Sequence, residues 1–205
     1  MKNLLTIVLA VLLAVCIVSL IFLYSQNQDM KKALGERERE RKVSQASQQR
    51  STQEALVAGL KEQIQKQEVT IKEIREGLSV TLVDRILFDS GKATLKPGGE
   101  KILGKIGETL KNIQDKRIRV VGHTDNVLIR QDFRYKFPTN WELSAARAAT
   151  VVRYFQEKTG LKPDDLEAVG RSFFQPLASN DTKEGRDQNR RVEIIIAPKL
   201  EMKEK

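Results

Sequence analysis

The chain has 205 residues, room for one ordinary domain with extensions, and its 40% hydrophobic, 5% aromatic and 31% charged content conceals three unlike segments. A formal net charge of +9 admits an acidic polymer, an anionic lipid or nucleic acid as partner, yet the charge is diffuse and no basic stripe interleaved with aromatics is present, which argues against nucleic acid. A single cysteine, Cys16, excludes an intrachain disulfide and a cysteine-based zinc site.

Residues 4–24 are apolar and uncharged, long enough to cross a hydrocarbon layer as a helix, which takes about 20 residues. Residues 1–24 are therefore expected to be a transmembrane anchor; a cleaved signal would have a shorter apolar core and a small-residue cleavage site. Leu13-Ala14-Val15-Cys16 resembles a lipoprotein signal, but Val15 is bulky and the apolar run continues past Cys16, so lipidation is not expected. The run contains no acidic residue, and so no carboxylate to relay ions through a membrane. Lys31, Lys32, Arg37, Arg39, Arg41 and Lys42 follow the run, a distribution that by literal count keeps the C-terminal part in the cytoplasm; the rule weakens for long translocated domains.

Residues 25–78 read as a polar helical stalk. Val57, Leu60, Ile64, Gln67, Ile71, Ile74 and Leu78 recur in alternating steps of three and four, the seam of a short coiled coil, which predicts a homodimer through the stalk. An amphipathic helix packed on its own domain is the competing reading. Residues 79–198 are expected to form the globular domain, with a charged tail at 199–205. Strands are predicted at 80–88, 117–122, 166–170 and 191–197, and helices at 95–114 and 141–158, with Asn140 as N-cap of the second and Gly160 as its terminator. Residues 181–189 read as a loop with a short helix. Strands alternating with helices imply an α+β two-layer sandwich.

One stretch concentrates chemistry. A strand ends at Gly122; His123, Thr124, Asp125 and Asn126 crowd polar groups at its exit; Arg147 follows about two turns into the next helix. A carboxylate and a guanidinium facing one pocket suit a zwitterionic ligand through charge-assisted hydrogen bonds, the guanidinium taking a carboxylate in two parallel bonds. The alternative is that Asp125 and Arg147 pair with each other and lock helix to sheet. His123, the only histidine, lacks the partners of a zinc site or a nucleophile, and is expected to be a strand-end hydrogen-bonder. Asp125 with Asp89 could be imagined as a glycosidase pair, but a neighbouring arginine lowers rather than raises an acid's pKa.

Gly122-His123-Thr124-Asp125-Asn126, Asn140-Trp141-Glu142-Leu143-Ser144-Ala145-Ala146-Arg147-Ala148 and Asn189-Arg190-Arg191-Val192-Glu193-Ile194 resemble the OmpA-like peptidoglycan-binding domain family. Phe137-Pro138-Thr139-Asn140-Trp141-Glu142-Leu143 is similar to its MotB-like variant. The resemblance covers residues 80–197. It implies a βαβαβ-type domain with a mixed sheet that binds peptidoglycan without catalysis and without cofactor or metal. In it Asp125 and Arg147 would take the ammonium and carboxylate of diaminopimelate in the stem peptide, with further contacts at Thr124, Asn126, Asn140, Leu143, Arg190 and Asp89. A wall-binding domain has to lie outside the inner membrane, so the expected product is a single-pass inner-membrane tether with a periplasmic domain. The alternative is the wall-anchoring subunit of an ion-driven stator-like or transport complex, with the ionisable membrane residue supplied by an inner-membrane partner.

Overall fold

A computed structural model of the chain describes the backbone of residues 2–199 and the side chains of residues 16–199. It divides into two units, Met1–Ser47 and Gln48–Lys205. Helix α1, Lys2–Gly59, supplies the first unit and ends inside the second. Among the described residues no helix is long and apolar enough to cross a membrane. The expected anchor at 1–24 lies mostly outside the described side chains, and of the expected tail at 199–205 only Lys199 is described.

The second unit follows α1 with α2 (Lys61–Gln65), β1 (Val69–Ile74), β2 (Gly77–Val83), α3 (Asp84–Leu87), α4 (Pro97–Lys111), β3 (Lys116–His123), α5 (Asn140–Tyr154), β4 (Leu166–Gly170), α6 (Lys183–Asn189) and β5 (Arg191–Pro198). The five strands form one mixed sheet in the order β1-β2-β5-β3-β4; only β3 and β4 run parallel. Leu78, Val80 and Leu82 of β2, Ile118 and Val120 of β3 and Val192, Ile194 and Ile196 of β5 alternate onto the helix-covered face. There they meet Leu103, Ile106 and Leu110 of α4 and Ala148 and Val151 of α5 in one core.

The coiled-coil seam predicted over 57–78 does not form as a helix. Leu56 and Leu60 are 1% exposed and belong to the domain's own core, while Val69 and Ile71 lie in β1 and Leu78 in β2. The competing reading therefore holds for Leu60 and Ile64. Within β1 and β2 the apolar positions serve a hairpin, with Val69 opposite Leu82 and Ile71 opposite Val80. Gly77 starts the return strand at φ +147, where a Cβ would lie 2.1 Å from the Ile196 carbonyl oxygen. The domain consequently begins well before residue 79, and β1 adds a strand that sequence patterning missed.

The strand predicted at 80–88 stops at Val83, which pairs with Arg191, the first residue of β5. With no partner strand beyond it, the chain turns into α3, whose Asp84 amide donates to the Arg190 carbonyl oxygen at 3.0 Å. The predicted N-cap is displaced by one residue. Thr139 caps α5, accepting from Trp141 N at 3.1 Å, while Glu142 Oε2 accepts from Thr139 N at 2.8 Å, a reciprocal capping box. That leaves the Asn140 side chain free for the site.

Candidate functional site

The sheet's registers converge where β3 exits and β5 enters. At β3's end, Gly122 lets α5 lie flush on the sheet: a Cβ there would stand 2.1 Å from the Ser144 carbonyl oxygen. This close approach brings the first turns of α5, with Asn140, Leu143 and Arg147, beside the loop that follows β3. Asn140 Nδ2 donates to the carbonyl oxygens of Asp125 and Val127, at 3.3 and 2.9 Å, and so ties that loop to the helix. A small apolar cluster of Ile129, Phe137 and Leu143, with Phe133 against it, holds the remainder of the connection between β3 and α5.

Between these elements lies a cavity of about 440 Å³. Of the predicted site residues, Thr124, Asp125, Asn140, Leu143, Arg147 and Arg190 line it. Asn126 and Asp89 do not; both side chains are exposed, and Asp89 Oδ2 faces Lys92 Nζ at 3.3 Å, although the Asp89 backbone takes part through its carbonyl. Phe88, Val127, Leu128, Ile129 and Phe133 give the cavity an apolar wall.

The two charges singled out from the sequence both face this cavity but do not pair with each other. Asp125 Oδ2 accepts from Arg190 Nη1, and its Oδ1 accepts from Val127 N at 3.1 Å. Arg190 also donates to Asp187. Arg147, 2% exposed, donates from Nε to the Lys92 carbonyl oxygen at 2.9 Å and from Nη2 to the Asp89 carbonyl oxygen at 3.3 Å. Its Nη1 lies 2.9 Å from Asp84 Oδ1, and its guanidinium carbon stands 5.2 Å over the Phe88 ring. Burial disfavours the Arg147 charge, and Asp84 is the chief influence restoring it.

Asp84 is the residue sequence reasoning missed. It lines the cavity at 5% exposure, and burial pushes its carboxyl up to about 6 despite the pull of Arg147 and Arg190. The signal was present as an acid interrupting the apolar alternation expected of 80–88.

His123 departs from its expected part. It ends β3 at 2% exposure, but neither ring nitrogen hydrogen-bonds within the protein, Glu193 Oε1 standing 3.6 Å from Nε2. Burial first, then the nearby Arg191 charge, hold it down at about 4, so the ring is neutral at physiological pH. Arg191 is buried in β5 and bonds Glu193 and the carbonyl oxygens of Asn189 and Gln175 rather than the cavity. Among the described residues no group of three or more His, Cys, Asp or Glu could hold a metal ion. The lining offers the acids Asp84 and Asp125, the guanidiniums of Arg147 and Arg190 and an apolar wall, groups able to meet a ligand with charges of both signs.

Comparison with known proteins identifies the family. Residues 87–190 match the OmpA family. Motility protein B of Bacillus subtilis is 39% identical over 124 residues, which are 60% of this chain and 46% of that protein. Peptidoglycan-binding protein ArfA of Mycobacterium tuberculosis is 37% identical over 111 residues, 54% of this chain and 32% of that protein. The chain thus spans half or less of these curated relatives. Among solved structures, the cell wall anchor of the T6SS from Pseudomonas aeruginosa superposes with a TM-score of 0.63 at 33% identity, covering 70% of this chain and 96% of that one.

Proposed function

The chain belongs to the OmpA family, and from that premise we propose that it holds peptidoglycan without covalent chemistry, by gripping the zwitterionic end of diaminopimelate in the stem peptide. One observation carries the reading. Asp125 and Arg147 line the same cavity, and each is balanced by a different neighbour, Arg190 and Asp84 respectively, so the two charges are not spent on each other. A carboxylate accepts more than one hydrogen bond per oxygen, which leaves Asp125 capacity for a ligand ammonium. Two backbone carbonyls accept hydrogen bonds from Arg147 and Asp84 faces it only as an ion pair, so the other N–H donors remain for a ligand carboxylate. Thr124, 4% exposed, brings a hydroxyl with no partner in the protein to the same cavity. Between the two charged ends the apolar wall suits the ligand's methylene chain. The relatives described as a peptidoglycan-binding protein and as a cell wall anchor support wall binding.

With the apolar run at residues 4–24 as an inner-membrane anchor, the domain is a periplasmic tether between membrane and wall. The similarity to Motility protein B favours a second, compatible reading as the fixed foot of a larger complex. Since residues 4–24 hold no acid, a partner would supply any ion-relaying group, and copurification with a multi-span protein in detergent tests it.

The decisive experiment is co-sedimentation of the detergent-solubilised chain with purified sacculi. The wild type pellets with sacculi containing diaminopimelate, and less with sacculi that carry lysine there and so lack the second carboxylate. Asp125→Ala and Arg147→Ala remain in the supernatant. Undiminished pelleting of both variants overturns the reading.

A further inference from the structure

We propose that Asp84 is a positioning residue of the cavity: it holds the Arg147 guanidinium in place and competes with the ligand's carboxylate for it, so that the grip tightens when Asp84 takes up a proton. This rests on the reading of the cavity as a zwitterion site and adds its regulation.

Three features of the geometry support it. Asp84 opens α3, at the point where β2 loses its partner strand, and its side chain is 5% exposed in the cavity wall. Its Oδ1 lies 2.9 Å from Arg147 Nη1 yet makes no aligned hydrogen bond, so the pair is held by charge alone and an acceptor with better alignment can displace it. The other two contacts of Arg147 go to backbone carbonyls of the segment between α3 and α4, which fix the guanidinium but leave its charge unanswered. Asp84 is thus the sole carboxylate within ion-pair distance of Arg147 among the described residues.

The charged groups that act on Asp84 are Arg147 on α5, Arg190 leading into β5 and Asp125 after β3, whereas α4 and β2, which pack against α3, contribute none of them. A ligand carboxylate arriving at Arg147 adds a second negative charge beside Asp84. Two carboxylates sharing one site favour protonation of one of them. Binding therefore takes up a proton, and by linkage affinity rises as pH falls through the range near 6 where the empty cavity's Asp84 titrates. His123, titrating near 4, contributes no step between pH 5 and 7.5.

The test is a titration of the detergent-solubilised chain at pH 5 to 7.5 with a stem tripeptide ending in diaminopimelate, and with the same peptide amidated at its free side-chain carboxylate. Wild-type affinity for the free peptide is expected to rise roughly tenfold from pH 7.5 to 5, with no such rise for the amidated one. Asp84→Asn should bind the free peptide with an affinity independent of pH across this window, and Asp84→Glu should restore the dependence. If the wild-type profile is flat while Asp125→Ala still abolishes binding, the assignment to Asp84 is overturned and the cavity reading stands. If the peptide does not bind, or binds Asp125→Ala and Arg147→Ala undiminished, both fall. Because the wild-type profile is read without any variant, a failure of Asp84→Asn to fold does not remove the test.

Discussion

Burial shifts two titrating groups in opposite directions across overlapping pH ranges. His123 is depressed from its ordinary 6.5 to about 4, so its contribution to stability is present above pH 6.5 and lost as pH falls through 4. Asp84 is raised from 3.8 to about 6, so its contribution is present below pH 3.8 and lost as pH rises through 6. Each shift corresponds to about 3 kcal/mol, and between pH 4 and 6 the two nearly offset. Unfolding by denaturant should accordingly show a flat stability profile there. His123→Gln should leave stability falling with rising pH, and Asp84→Asn should leave it falling with falling pH; parallel profiles for both variants would refute the offset. At the neck of α5, Asn140→Ala deprives two loop carbonyls of their donor and is expected to cost about 1–3 kcal/mol. It should also weaken sacculus binding, because the Asp125 backbone is one of the two carbonyls. Thr139→Ala removes the capping box at a cost of about 1 kcal/mol, measurable by thermal melting, and should leave the cavity's charges in place.

The elements differ in how far the sequence reveals them. β4 at Leu166–Gly170 matches its predicted span, and the predicted strand at 117–122 lies within β3, where buried Ile118 and Val120 alternate with half-buried Arg117 and Arg119. Of the hairpin β1–β2, only Val80–Val83 fell within a predicted strand; β1 and the start of β2 did not read as strand, since Val69, Ile71, Ile74 and Leu78 fit steps of three and four as well as a strand with a turn. Short apolar runs do not separate the two periods, and only the Leu82 and Val80 partners across the hairpin settle the matter. A consequence follows for dissection of the chain. A fragment starting at residue 48 keeps α1's last turns, α2 and β1, and should give a monodisperse species with a cooperative melt. A fragment starting at residue 79 loses Leu56, Leu60 and β1 from the core and should aggregate or melt without cooperativity. Leu60→Ala in the intact chain is expected to cost about 2–5 kcal/mol, read from the denaturation midpoint.

For the molecule as a whole, the binding blocks were legible because their residues are spaced for one crossing of strand and helix, and the structure does gather Thr124, Asp125, Asn140, Leu143, Arg147 and Arg190 around one cavity. What the sequence did not reveal is the pattern of counter-charges. Asp84 and Asp125 lie far apart along the chain, and their assignment to Arg147 and Arg190 depends on the register that halts β2 opposite Arg191. The strand order has a mechanical side. The chain enters the domain through α1 and the β1–β2 hairpin, whereas the proposed ligand is held after β3 and on α5, with β5 intervening in the sheet. Tension between a fixed wall and the amino-terminal segment would then travel sideways through the β2–β5 and β5–β3 ladders, sharing the load among many backbone hydrogen bonds acting together.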